Sequence, residues 1–398
     1  MSSQVRLRLL PRARCLFDEP IKVKVEGLRS RQVVTMRARL TDDKGVVFSS
    51  SATYRANGSG EVDLNRDPSL GGSYVGVEPM GLLWSMRAEK SHKKFQKATS
   101  LKLLMGDGVS RVPVKEGNIS GVLFTPPEGL FPAVLDILTF RSETRASLLA
   151  SKGFVVLGIG LVQGKFESFE HYPRFHLDHF KEAIDFLKQQ PKVGSKGVGI
   201  IGRSKAADLA LSLATFVPGV NATVCINGCS ANVGVPLYYK KQQILSPLVY
   251  DLSKLIPTES GASIGKYIFE DPLAEKNKGS LVPIEQAKAH FLFVAGEDDL
   301  NYDSKTYMDQ MVERLKRHGK ENFECVSYRG AGHLLEPPYE PFCPSCAHGI
   351  SHYIASWGGQ PEAHAAAEVH LWKKIQEFFR THLSSDAAQT KAKIITSG

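Results

Sequence analysis

Three residues with the chemistry of a hydrolytic triad follow one another along the chain: Ser204, Asp299 and His333. A serine hydroxyl is a poor nucleophile at neutral pH. It needs a histidine to take its proton and a carboxylate to orient that histidine. Such a set attacks a carbonyl carbon and forms a covalent acyl-serine intermediate. These residue types indicate acyl chemistry that uses no metal and no other cofactor.

The surroundings of Ser204 match a nucleophile elbow. An apolar, β-branched run, Val198–Ile201, precedes it, and a segment of helical composition begins at Lys205. The elbow is a sharp strand-to-helix turn with the pattern G-x-S-x-G, in which small neighbours are required because the turn is tight. Gly202 supplies the first small residue, and Ala206 replaces the last glycine. The spacing therefore predicts that Ser204 is the nucleophile.

The acid and the base are each expected just after a strand. Asp299 follows the apolar run Phe291–Ala295, and His333 follows the run Glu324–Tyr328. In α/β-hydrolases the triad occurs in the order Ser, acid, His, with each residue in a loop at the carboxyl edge of the sheet. The order and both local contexts favour Asp299 as the acid and His333 as the base.

Other reactive side chains remain open. Asp298 could replace Asp299 as the acid. Cys229 is another possible nucleophile, although no elbow surrounds it. Two groups have ligand-type side chains: His171, His176 and His179, and the pair in Cys343-Pro-Ser-Cys346. The histidines lack an H-E-x-x-H motif, and the cysteine pair lacks the second half of a zinc site. We therefore expect no metal site.

The elements around these residues predict two domains. Residues 1–110 alternate apolar and polar side chains between turn signals such as Asn57-Gly, which is typical of an antiparallel β-sandwich. From residue 111 to 384, strands alternate with helices, which predicts a parallel sheet covered on both faces. An irregular stretch, 232–280, is expected to form a cap, and residues 385–398 a polar tail. The predicted fold class is α/β, an α/β-hydrolase domain preceded by a β-sandwich.

Composition limits the classes of partner and compartment. The 398 residues carry a net charge of +9, but the lysines and arginines are scattered, so we expect no nucleic-acid partner. No apolar run is long enough to span a membrane, and no secretory signal opens the chain. Six cysteines without such a signal favour a reducing compartment. The last residues, Ile395–Gly398, lack a peroxisomal signal, so we expect the cytoplasm, with the peroxisome as the alternative.

Several segments of the chain are similar to one known family, the acyl-CoA thioesterases and bile-acid-CoA:amino-acid N-acyltransferases. They are Tyr54–Asn65, Ser69–Ser85, Arg145–Ala150, Gly296–Asn301, Gly332–Tyr339 and Trp357–Gly359. The resemblance implies a long-chain acyl-CoA substrate, the triad Ser204, Asp299 and His333, and the backbone N–H of Lys205 as an oxyanion donor. The amidating branch has a cysteine nucleophile, so Ser204 favours hydrolysis over transfer to glycine or taurine.

Two departures from that family affect the expected rate. The loop Thr139–Thr144 is short and has no glycine, although it should offer the second oxyanion N–H. Losing one such donor costs about 3–4 kcal/mol of transition-state stabilisation. The region 89–112 is also shortened. The alternatives to a thioesterase are therefore a slow or inactive acyl-CoA-binding relative, and an acyl-CoA:amino acid N-acyltransferase.

Overall fold

A computed structural model describes residues 5–11, 15–41, 45–89, 104–140, 143–162, 175–349 and 353–384. The tail 385–398, His171, most of the shortened region and the centre of the loop Thr139–Thr144 lie outside these residues.

The N-terminal part consists of two small antiparallel sheets. Its elements are β1 (Arg6–Leu10), β2 (Lys22–Glu26), β3 (Val33–Thr41), β4 (Val47–Arg55), β5 (Val62–Asp63), β6 (Gly71–Gly72), α1 (Gly81–Trp84) and β7 (Arg87–Ala88). One sheet has the order β1-β2-β5, and in the other β4 pairs with β3, β6 and β7. Buried side chains of both sheets, among them Val25, Tyr54 and Val62, share one core. The alternating pattern therefore produces two sheets that pack against each other, as predicted.

The rest of the chain alternates strands and helices. Its strands are β8 (Ser110–Glu116), β9 (Ile119–Thr125), β10 (Phe131–Phe140), β11 (Val155–Val162), β12 (Phe175–His176), β13 (Val193–Arg203), β14 (Val220–Ile226), β15 (Leu237–Tyr239), β16 (Gln242–Leu245), β17 (Ile256–Pro257), β18 (Ser263–Ile264), β19 (His290–Gly296), β20 (Phe323–Tyr328), β21 (Ser345–Ala347) and β22 (Ile354–Ser356). Its helices are α2 (Thr144–Ser151), α3 (Leu177–Lys188), α4 (Lys205–Phe216), α5 (Ser304–Arg317) and α6 (Pro361–Leu383).

Eight strands form the central sheet in the order β20-β19-β14-β13-β10-β11-β9-β8. The six from β20 to β11 are mutually parallel, whereas β9 is antiparallel to both of its neighbours. The prediction of a parallel sheet is therefore wrong at this edge, because a tight turn at Gly117 and Asn118 joins β8 to β9 as a hairpin. This order with one reversed strand is that of the α/β-hydrolase fold.

Helices cover both faces of the central sheet. Apolar side chains of α3, α4 and α5 pack on one face, and those of α2 and α6 pack on the other. The N-terminal part reaches this second face, since Phe17 joins the same cluster. The Asp18 carboxylate accepts a hydrogen bond from Trp372 Nε1 at 2.7 Å and lies 3.0 Å from Lys152 Nζ. The N-terminal part is therefore tied to both α2 and α6.

A buried ion pair joins β10 to α2, on either side of the loop expected to carry an oxyanion donor. Arg145 Nε donates to Asp136 Oδ1 at 2.9 Å, and Arg145 Nη2 donates to the same oxygen and to the Ile137 carbonyl. Both side chains are almost completely buried. Each charge is therefore stabilised mainly by the opposite charge of its buried partner.

We expect Arg145→Met to lower the free energy of unfolding by about 3–5 kcal/mol, because it leaves a buried carboxylate without its counter-charge. Urea unfolding monitored by circular dichroism measures this change. Arg66→Met removes an exposed pair with Asp67 and should leave stability close to that of the wild type. The double variant Asp136→Leu/Arg145→Met should recover much of the loss, whereas equal losses in Arg145→Met and Arg66→Met would contradict the prediction.

Candidate active site

Ser204 lies at the sharp turn between β13 and α4. Its φ of 58° and ψ of −131° are unusual for a residue with a side chain, and such conformations concentrate at functional sites. Gly202 makes the turn possible, since a Cβ there would lie 2.2 Å from the Ala206 carbonyl oxygen. The methyl group of Ala206 is itself buried in the core beside β13. The elbow therefore tolerates alanine where the usual motif has its last glycine.

Asp299 and His333 form a buried pair at the ends of β19 and β20. His333 Nδ1 lies 2.7 Å from Asp299 Oδ2, and each side chain is about 1–2% exposed. Three further donors hold the carboxylate: the backbone N–H groups of Asn301 and Tyr302 on Oδ1, and Ser304 Oγ on Oδ2. With both oxygens acting as acceptors, Asp299 is suited to hold a proton on His333 Nδ1 and leave Nε2 as the basic nitrogen.

Two side chains of the acid loop contact His333 on the side of the cavity that Ser204 also lines. Asn301 Nδ2 is 3.2 Å from His333 Nε2, and the Tyr302 and His333 rings have centroids 5.3 Å apart. Burial raises the pKa of Tyr302 well above its usual range, so the phenol stays neutral. Within the described residues, no direct hydrogen bond joins Ser204 Oγ to His333. Catalytic hydrogen bonds often tighten only when substrate is bound.

Asn227, at the end of β14, fixes both loops that carry the acid and the base. Its Nδ2 donates to the carbonyl oxygens of Gly332 and His333, at 3.1 and 2.9 Å, and its Oδ1 accepts from the Gly296 N–H at 2.7 Å. Its φ of 47° is the left-handed conformation that asparagine adopts more readily than most residues. Sequence reasoning missed this residue. The dipeptide Asn227-Gly228 directly after the apolar strand was the available signal.

The serine and the histidine face one cavity of about 410 Å³. Apolar and aromatic side chains from the irregular stretch 232–280 form part of its wall: Val233, Tyr250, Ile268 and Phe269. Leu138, Tyr302 and Trp357 also line it. The predicted cap thus lies over the elbow, and the cavity combines a polar end at Ser204 with an apolar wall.

The Lys205 side chain points into the protein, where Nζ donates to Asp208 Oδ2 at 2.8 Å and to Asn232 Oδ1 at 2.9 Å. Its backbone N–H, at the first position of α4, has no hydrogen-bond acceptor among the described residues. The arrangement leaves that N–H available for an oxyanion. Arg141 and Ser142, at the centre of the loop expected to supply the second donor, lie outside the described residues.

Two family models and several named relatives match this chain. The model "BAAT / Acyl-CoA thioester hydrolase C terminal" matches residues 175–385, and "Acyl-CoA thioester hydrolase/BAAT N-terminal region" matches residues 18–105. The chain belongs to the BAAT/acyl-CoA thioester hydrolase family. Among its relatives, human acyl-coenzyme A thioesterase 6 is 40% identical over 98% of this chain and 99% of its own length. Human acyl-coenzyme A thioesterase 2, mitochondrial, is 38% identical over 98% of this chain and 86% of its own.

The family also includes an amidating relative. Human bile acid-CoA:amino acid N-acyltransferase is 40% identical over 93% of this chain and 96% of its own length. Among solved structures, an acylaminoacyl peptidase from Pyrococcus horikoshii aligns over 92% of this chain and 54% of its own, at 16% identity and a TM-score of 0.45.

The alternative side chains lie in different settings in this member of the BAAT/acyl-CoA thioester hydrolase family. Asp299, and not Asp298, is bonded to His333 Nδ1. Cys229 is completely buried, and burial raises the pKa of its thiol, which disfavours a thiolate nucleophile. His176 and His179 stack with ring centroids 5.4 Å apart in a second cavity. In the described part of the chain, no three His, Cys, Asp or Glu side chains gather as a metal site would require.

Within the described part of the chain, no helix is both long and apolar enough to cross a bilayer.

Proposed function

We propose that this protein hydrolyses acyl-CoA thioesters through an acyl-serine intermediate on Ser204. One observation carries the proposal: an elbow serine and a buried Asp299–His333 pair face the same cavity. Membership of a family with relatives named acyl-coenzyme A thioesterases supports the thioester as the substrate.

In the proposed reaction, His333 Nε2 takes the Ser204 proton as Oγ attacks the thioester carbonyl. The developing oxyanion receives the N–H of Lys205 at the positive end of α4. Coenzyme A leaves as a thiolate or thiol, which needs little help from a general acid. A water molecule, activated by the same histidine, then attacks the acyl-serine and releases the fatty acid. Asp299 holds the histidine in the required tautomer throughout.

The proposed substrate class is long-chain acyl-CoA. The aromatic wall of Tyr250, Phe269 and Trp357 favours an apolar chain over a polar one. The net charge of +9 favours a substrate that carries phosphate groups, as coenzyme A does. We also propose the division into residues 1–110, 111–384 and a tail, and a cytoplasmic location. All six cysteines are free thiols, which fits a reducing compartment.

Amino-acid conjugation is the second candidate, because an N-acyltransferase is among the relatives. Serine disfavours it on chemical grounds. An acyl-cysteine keeps the thioester energy needed to acylate an amine, whereas an acyl-serine is an ordinary ester. The proposal is therefore transfer to water.

Incubating the protein with short-, medium- and long-chain acyl-CoAs, with and without glycine or taurine, separates the candidates. We expect equal amounts of free fatty acid and CoA, fastest for long chains, and no change when the amino acid is added. Chromatography with mass detection measures all three products. An N-acyl amino acid would favour conjugation, and no CoA release from any chain would favour an inactive acyl-CoA binder.

A further inference from the structure

A pair of cysteines lies beside the Ser204 cavity and has no part in the proposed hydrolysis. Cys343 and Cys346 flank Pro344 and Ser345, with Cys346 in β21. Cys343 Sγ donates to the Ser345 carbonyl at 3.6 Å, and each thiol perturbs the pKa of the other. Cys346 lines the cavity together with Ser204 and His333. The two thiols are therefore close neighbours, and Cys346 is partly open to small molecules that enter the cavity.

The two sulfur atoms are in different environments. Cys346 Sγ accepts a hydrogen bond from Trp357 Nε1 at 3.1 Å. The neighbouring Cys343 thiol, assisted by Trp357 and the nearby Arg203 charge, lowers the pKa of Cys346 to about 7. The same contact, together with burial, raises the pKa of Cys343. One sulfur is thus suited to attack as a thiolate, and the other stays protonated beside it.

The pair is linked to the proposed base through Trp357. The Trp357 ring stacks on the His333 ring, with centroids 5.5 Å apart and planes at 16°. The backbone N–H of Trp357 donates to the Pro344 carbonyl at 2.9 Å, and the backbone N–H of His333 donates to the Trp357 carbonyl at 2.8 Å. Strand β21, which contains Cys346, also pairs with β22, and β22 ends at the residue before Trp357. A change at the cysteines therefore reaches His333 through one residue.

We propose that Cys343 and Cys346 are a reversible oxidation site for a peroxide, and that the resulting disulfide slows the hydrolase. The Cys346 thiolate attacks one peroxide oxygen, so that an S–O bond forms, the O–O bond breaks and a sulfenic acid results; the hydroxide or alkoxide that leaves takes a proton from solvent. Cys343 sulfur then attacks Cys346 Sγ, the S–OH bond breaks, and a second water leaves with the Cys343 proton. The two thiols lose two electrons and the peroxide gains them.

Oxidation removes the negative sulfur that Trp357 binds. A disulfide sulfur is a much weaker acceptor, and closing the S–S bond to about 2.05 Å requires Cys346 Sγ or Cys343 Sγ to move from its place in the reduced protein. Since Trp357 stacks on His333 and lines the cavity, its displacement disturbs the base. This effect on rate, unlike the oxidation itself, rests on the proposed hydrolase function.

The test treats the full-length protein with hydrogen peroxide, removes the peroxide with catalase, and maps the cysteines by mass spectrometry. We expect loss of two of the six thiols, a Cys343–Cys346 disulfide, and full reversal by dithiothreitol. CoA release, measured by chromatography, should fall roughly tenfold in kcat/KM, because small displacements of catalytic groups cost one to two orders of magnitude. The alkylation rate of Cys346 should rise with pH around a midpoint of about 7.

Matched variants isolate the pair. Cys325→Ser removes an exposed cysteine on β20 and should leave both the disulfide and the inhibition unchanged. Cys343→Ser should stop at a sulfenic acid on Cys346, which dimedone traps. Ser204→Ala should form the same disulfide, so the oxidation is measured independently of hydrolysis. Failure to find the disulfide, or a fully oxidised protein with unchanged kcat/KM, would overturn the proposal.

Discussion

Ser204→Ala should lose acyl-CoA hydrolysis by roughly 10⁴- to 10⁶-fold while keeping its fold. The substitution removes the attacking oxygen and no other heavy atom. The backbone of the elbow is set by Gly202 and by contacts of the helix behind it, so thermal unfolding should change little. Release of CoA from long-chain acyl-CoA, followed by chromatography, measures the loss.

A second serine on the same helix provides the control. Ser212 is buried on α4, where its hydroxyl donates to the Asp208 carbonyl at 2.9 Å. Ser212→Ala should keep the wild-type rate, because this hydroxyl is bonded within the helix. Turnover retained in Ser204→Ala would contradict the assignment of Ser204 as the nucleophile and would favour Cys229 instead.

Asp299→Asn should lower kcat by about 10⁴-fold, because it forces the wrong tautomer on His333. Backbone N–H groups occupy the Oδ1 position, so the new amide oxygen must stay there. The amide NH₂ then faces His333 Nδ1, which has to accept a hydrogen bond and carry its proton on Nε2. A histidine in that form cannot take the Ser204 proton. Steady-state kinetics with one long-chain acyl-CoA measure the effect.

Asp298→Asn is the matched control for the acid. This neighbour lies in the same loop and carries the same charge, but it is not the carboxylate bonded to His333. We expect a change of less than about threefold, since an amide at this half-buried position retains the side-chain volume. A larger loss in Asp298→Asn than in Asp299→Asn would reverse the assignment that the sequence left open.

The sequence predicted those features whose signals are local. Gly202 before Ser204 predicts the elbow because the turn excludes a side chain from that position, and the apolar runs predict β13, β19 and β20 by their length. Family resemblance and fold were both predicted correctly. In contrast, the strand β8 was missed and its residues were assigned to a domain boundary. Its polar, solvent-facing pattern with Pro113 does not resemble a central strand.

The contacts that complete the candidate site could not be predicted, because they join residues far apart in the chain. Asn227 holds loops more than sixty residues away on β19 and β20, and only the strand order of the sheet brings them together. Asn301 and Tyr302 come two and three residues after Asp299, yet their contacts with His333 depend on how tightly that loop turns. The chemical role of a residue can be inferred from a motif, whereas the distance between two side chains depends on the whole fold.

The carboxylate of Asp18 determines how separable the two halves of this protein are. It is almost fully buried and bound to Trp372 in α6 and to Lys152 at the end of α2, both in the part of the chain that contains the central sheet. A catalytic half produced alone would expose the surface that Phe17 covers and leave the indole N–H without this acceptor. The N-terminal part of the chain therefore covers part of the hydrophobic core that α2 and α6 form with the central sheet. Exchanging these sheets between relatives would therefore also require exchange of the α2 and α6 surfaces that they contact.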